Sequence, residues 1–223
     1  MTASTEQGEA RLERPRSCAV TRRFMLALAG GVLLAAVAAW FGRDALLRDA
    51  ADAWIVSDPP AHADAVAVLG GGLEYRPFAA AEYYRRGLVA KVLVSNIGSS
   101  RAERLGVLKS HVEANIEVLQ KLGVPATAIE TFGRQLTDTY SEARALHQWA
   151  MDTGARTIMV PTDLFATRRL RWTLHQVFGT DALVLVPALS PLEYRSDDWW
   201  KNEAGLIAFQ NEIIKYIYYR AKY

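Results

Sequence analysis

Residues 64–72 read Asp-Ala-Val-Ala-Val-Leu-Gly-Gly-Gly. A short run of small and β-branched apolar residues that breaks into glycines is the pattern of a buried strand feeding a turn. Pro77 follows, suited to a first helical turn, and the apolar spacing predicts a helix over 77–86 that stops at Gly87. Working outward, the pattern repeats. Strands are expected at 91–95, 128–132, 156–161 and 182–186. Helices are expected at 109–122, 139–153, 164–178 and 202–221, most of them stopping at a glycine (123, 154, 179). Continuous apolar strands alternating with helices predict an α/β domain, a doubly wound, mainly parallel sheet of about five strands covered on both faces. Ligands of such sheets bind at the carboxyl ends of the strands, so the residues just after each strand carry the functional information.

The second informative stretch is 24–41, FMLALAGGVLLAAVAAWF, uncharged and mostly apolar, between Arg22-Arg23 and Arg43. Eighteen helical residues reach about 27 Å, enough for a bilayer core. The preceding arm carries five arginines against three glutamates, and the positive-inside rule puts it in the cytoplasm. The expected layout is a cytoplasmic basic arm (1–23), a transmembrane helix (24–41), a linker (42–61) with its break at Asp58-Pro59-Pro60, and an extracytoplasmic domain (62–223). The bacterial inner membrane is the expected location. Two other readings stay open. Ala36-Val37-Ala38 fits a signal-peptide cleavage site and Thr21-Arg22-Arg23 part of a twin-arginine signal; the run also fits a buried helix of a soluble protein.

Past residue 41 the chain has 21 basic and 21 acidic residues, so the net charge of +2 resides in the arm. A neutral domain gives no electrostatic case for nucleic acid. The one cysteine, Cys18, precedes the apolar run, so the domain has no disulfide. Histidines 62, 111, 147 and 175 are scattered, and no spacing suggests a metal site.

Four strand-end segments are candidate ligand contacts. Gly70, Gly71 and Gly72 permit close backbone approach, and Arg76 adds a guanidinium at a helix N-terminus; the loop matches neither the dinucleotide-binding nor the P-loop signature. Ser95 and Asn96 end the second strand. Asp138 and Thr139 open a helix, where Thr139-x-x-Glu142 reads as a capping box and Glu142, alternatively, as a general base. Thr162 and Asp163 follow the fourth strand as helix caps or, for Asp163, as a base. Arg168 then sits at a helix start, where a cation is favourable only beside an anion. Trp199, Trp200, Phe209, Tyr216, Tyr218 and Tyr219 read as core or as a membrane-surface contact.

Taken in order, Asp64 to Gly72, Arg76, Val94-Ser95, Gly123-Val124-Pro125, Asp138-Thr139, Val160-Pro161-Thr162 and Arg168 resemble the YdcF/SanA/ElyC-like family of bacterial proteins, over about residues 62–220. The anchor-plus-domain layout is similar to the SanA and ElyC branches. The resemblance implies a Rossmann-like domain with a strand-end cleft and a role in cell-envelope biogenesis, linked to peptidoglycan or another lipid-carrier-dependent polysaccharide. The chain departs from the family at Ser141-Glu142, where Glu-Asn is usual; at Phe165, where a His is usual; and at Asn96-Ile97, where Gly-Gly is usual. Three functions are consistent with this: a binding module for a phosphorylated lipid-carrier or nucleotide-like ligand; a phosphate-ester hydrolase or transferase using Glu142 or Asp163 as base with Arg76 and Arg168 stabilising charge; and a scaffold for envelope-synthesis proteins. No cofactor is named by the residues.

Overall fold

The structure, a computed structural model, describes residues 17–223, with side chains from Arg23 onward. Residues 1–16 of the basic arm, and the side chains of residues 17–22 with Cys18 among them, lie outside the described residues. The elements in chain order are α1 (Ser17–Trp54), β1 (Ala63–Val68), α2 (Arg76–Arg85), β2 (Val89–Ile97), α3 (Arg101–Arg104), α4 (His111–Lys121), β3 (Ile129–Leu136), α5 (Thr139–Thr153), β4 (Thr157–Met159), β5 (Thr162–Asp163), α6 (Thr167–Phe178), β6 (Leu183–Leu185), β7 (Ala188–Leu189) and α7 (Glu203–Lys222). Short 3-10 turns precede β3, α6 and α7.

Two compact units divide within α1, one up to Leu46 and one from Leu47 to Tyr223. In the first, Arg23–Phe41 is a stretch of 19 residues long and apolar enough to cross a membrane, with none of it buried in protein. Within the expected linker 42–61, the residues from Leu47 onward belong to the second unit and pack into it. Ala51 is fully buried, and Leu47, Trp54 and Ile55 pack with it against Leu164, Phe165, Tyr194 and Trp199. Asp58 exchanges bonds with Val186, accepting from its N–H at 2.9 Å and donating to its carbonyl at 3.1 Å. Proline-rich composition marked a break in helix, which is real, but said nothing about burial.

The second unit holds a five-stranded parallel sheet in the order β3-β2-β1-β4-β6. This is the expected doubly wound α/β arrangement, Rossmann-like in its order. The alternation in β1 explains the two layers. Ala65, Ala67 and Leu69 face α5 and α6, meeting Leu146, Leu170, Leu174 and Phe178. Val66 and Val68 face α2 and α4, meeting Ala80, Tyr83 and Leu119. A two-stranded ladder, β5 with β7, extends past β4 and β6; two residues per strand leave no periodicity to read. Helix α5 spans the residues expected of it and ends at Gly154, whose φ of +72° only glycine adopts without cost.

Candidate functional site

β1 and β4 are neighbours, but their chains leave toward opposite halves of the sheet. Their carboxyl ends therefore part and open a crevice, the place where ligands bind in sheets of this kind. A cavity of about 290 Å³ fills it. Its lining comes from six elements and turns: Gly70, Gly71 and Gly72 after β1, Arg76 at the start of α2, Thr139 and Glu142 from α5, Thr162 and Asp163 after β4, Arg169 from α6, and Glu212 and Lys215 from α7.

Arg76 ties the two strand ends together. It is only 8% exposed. Its Nη1 donates to the Gly70 carbonyl at 2.6 Å, and its Nη2 to Thr162 Oγ1 and Asp163 Oδ2, both at 3.1 Å. The Arg76 Nε is buried with no partner, and so is Asp163 Oδ1. Gly72 explains how the arginine fits: at φ +61° a Cβ would lie 2.7 Å from the Tyr75 ring and 2.9 Å from Arg76 Nε. Tyr75 and Tyr194 both have hydroxyls pushed well above the usual range, first by burial and then by the nearby Asp163 charge.

Glu142 does not cap α5. Asp138 does, accepting from Ser141 N–H at 2.8 Å, while Ser141 Oγ accepts from Asp138 N–H at 3.1 Å. The expected box at Thr139 and Glu142 is displaced by one residue. One helical position is a rotation of about 100°, and it turns Glu142 inward. Its carboxyl is 5% exposed and accepts from Gly70 N–H at 2.6 Å. Burial raises its pKa; the Gly70 N–H, the Ser95 hydroxyl and the Arg76 and Arg169 charges pull against that rise without cancelling it. The raised carboxyl stands beside the glycine turn, within bonding distance of the crevice floor at Gly70.

The same one-residue difference separates Arg168 from Arg169. Arg168, expected in the cleft, is not there. Its guanidinium reaches the end of α1, donating from Nε to Trp54 O at 3.0 Å and from Nη2 to Ala53 O, over the Trp54 ring. A cation at a helix C-terminus satisfies carbonyls that the helix leaves open. Arg169 takes the cleft. Its Nε donates to Glu212 Oε2 at 2.7 Å, Nη2 to Glu212 Oε1 at 3.1 Å and Nη1 to Thr139 Oγ1 at 2.8 Å. Burial would raise the Glu212 carboxyl, but the Arg169 bond and charge, helped by Lys215, hold it below its ordinary value.

Of the remaining expected contacts, Ser95 is fully buried, with its hydroxyl near the Glu142 carboxyl. Asn96 lies half-buried in β2 and lines none of the cavities described here. Neither Thr162 nor Asp163 caps α6, which starts at Thr167; Thr162 instead accepts from Arg76. Phe165, where the resemblance leads one to expect a histidine, is fully buried and stacked on Tyr194. Glu212 and Lys215 were missed altogether. Their only sequence signal is a charged pair three residues apart in the middle of a helix of mixed composition.

Two further cavities join the crevice, and Lys215 lines all three. One, about 710 Å³, runs past Ile97–Ser99 and Leu136–Thr139 to Tyr218. The other, about 320 Å³, runs past Asp163 between Tyr75, Phe165, Tyr194 and Asn211. Among the described residues no three His, Cys, Asp or Glu side chains converge as a metal site. No family model matches the chain, and the curated proteins contain no significant match to it.

Proposed function

We propose that this chain is a membrane-anchored member of the YdcF/SanA/ElyC-like group that binds a phosphorylated ligand at the strand ends and serves cell-envelope biogenesis, with its arm cytoplasmic and its domain extracytoplasmic. The observation that carries the binding reading is the pair of buried, unpartnered polar atoms, Arg76 Nε and Asp163 Oδ1, at one topological crevice beside a glycine turn. Unpaired buried polar atoms cost about 1–3 kcal/mol each, and a ligand that bonded them would recover it. Lys215, half-exposed on α7 and bonded to Glu212 Oε1 at 3.0 Å, adds a cation at the junction of the three cavities. A lipid-linked phosphate agrees with an apolar helix Arg23–Phe41 in the same chain.

The buried Glu142 carboxyl beside the glycine turn favours a second reading, a phosphate-ester hydrolase or transferase in which water or an acceptor hydroxyl forms the new bond to phosphorus, the leaving oxygen takes a proton from Glu142 and Arg76 meets the developing charge. Both readings are tested on the full chain in lipid nanodiscs. Thermal melts are recorded with polyprenyl phosphates, nucleotide sugars and nucleotides, for wild type and Lys215→Ala. A ligand of the folded state raises the melting temperature by mass action. A rise that Lys215→Ala loses supports the site, and phosphate release from that ligand then separates enzyme from binder. No rise with any anion leaves the scaffold reading.

A further inference from the structure

The turn between α3 and α4 pushes three large apolar side chains into solvent: Leu105 is 78% exposed, Val107 73% and Leu108 59%. The segment is tightly built. Ser100 and Glu103 form a full capping box at one end, and Ser110 and Glu113 form another at the other end. The N–H groups of Val107 and Leu108 both donate to Ala102 O, at 3.0 and 3.4 Å, and Arg104 Nη1 donates to Ser99 O at 2.5 Å. Two caps that fix a turn while displaying three aliphatic side chains need a partner for those side chains.

Charge and position say which partner. Residues 98–110 carry Arg101, Arg104 and Lys109 against Glu103 alone. The segment follows the carboxyl end of β2. Leu47, where the compact unit begins, accepts a bond from Trp199 Nε1 at 3.1 Å and packs with Leu164 and Phe165 beyond β4. Chain and turn therefore meet the same end of the sheet. Only residues 42–46 separate Phe41 from Leu47, a span of no more than about 20 Å in any conformation.

We propose that the 105–108 turn is a membrane-surface contact. Leu105, Val107 and Leu108 enter the boundary between headgroups and acyl chains, and Arg101 and Arg104 meet the phosphates of anionic lipid. The inference rests on reading Arg23–Phe41 as a membrane anchor. It sets the strand-end face, and with it the crevice, toward the bilayer.

The test uses the full chain with Cys18→Ser, one copy per nanodisc of mixed neutral and anionic lipid, and a polarity-sensitive fluorophore at Val107→Cys or at Met151→Cys. Met151 is exposed near the end of α5, at the opposite end of the sheet. The expected result is blue-shifted emission at 107 that lipid-borne quenchers extinguish, no such change at 151, and loss of the quenching with Arg101→Glu/Arg104→Glu. Emission at 107 as water-like as at 151 overturns the proposal. So does a blue shift at 107 that lipid quenchers leave untouched, because the apolar surroundings are then protein. Flotation after alkaline extraction separates the two failures: a chain that does not float defeats the anchor reading and this inference together, whereas a floating chain with a water-exposed turn defeats this inference alone.

Discussion

Replacing Glu212 with alanine removes the one carboxylate that faces Arg169 at bonding distance. Both side chains are about nine-tenths buried, and the pair is bidentate at 2.7 and 3.1 Å. Truncating one partner of a buried pair costs about 3–5 kcal/mol because the other charge is left unpaired. The crevice admits water to one side of this pair, so the lower end, about 3 kcal/mol, applies. For a unit of this size each kcal/mol is worth about 2–4 °C, and the loss comes to about 6–12 °C. Tryptophan fluorescence melts at neutral pH would read it. The Glu212 carboxyl is held below its ordinary 4.5. Its contribution is therefore complete above that value and is lost as pH falls through the folded-state value, so the gap between wild type and Glu212→Ala narrows under acid. Arg169→Met/Glu212→Met, which removes both charges, should melt above either single variant. A Glu212→Ala protein melting within about 2 °C of wild type would refute the argument that this pair fastens α7 to α6.

Arg168→Ala should cost about 1 kcal/mol by uncovering the Trp54 and Ala53 carbonyls, and thermal melts should show any ligand-induced rise intact. Glu142→Gln should gain stability relative to wild type as pH rises above 4.5, because a carboxyl whose pKa is raised by folding destabilises the fold only once it ionises; a difference between the two melting curves that stays flat with pH would contradict it. Gly72→Ala forces an L side chain to φ +61° with its Cβ 2.7 Å from Tyr75, costing about 1–2 kcal/mol from the backbone alone; a denaturant titration checks the stability, and ligand melts check that Arg76 is displaced with it.

The sheet and its helices were legible because their signals are local. A strand such as 64–69 shows its burial in its own composition, and a helix such as 139–153 declares its stop in Gly154. The crevice was half legible. The rule that ligands sit past strand ends selected Gly70–Gly72, Arg76, Thr162 and Asp163, and all of them line one cavity. Where the reading failed, it failed by single helical positions. Asp138 rather than Thr139 caps α5, and Arg169 rather than Arg168 faces the crevice. Local pattern fixes that a helix begins but not its rotation about its axis, which depends on what packs against it. Glu212 and Lys215 lay beyond reach for a different reason: nothing local tells the last helix of the chain to close a site built by β1 and β4.

The edge-to-face rings of Trp54 against Phe209 and Tyr216, at 5.8 and 5.6 Å, join the element before the first strand of the domain to the element after the last. Contacts of such long sequence separation form late and slowly. A ribosome delivering this chain has exposed the segment at Ala51 and Trp54 long before α7 exists, so that segment waits with its aromatic partners unmade, and the half-finished chain is the form most in need of a chaperone.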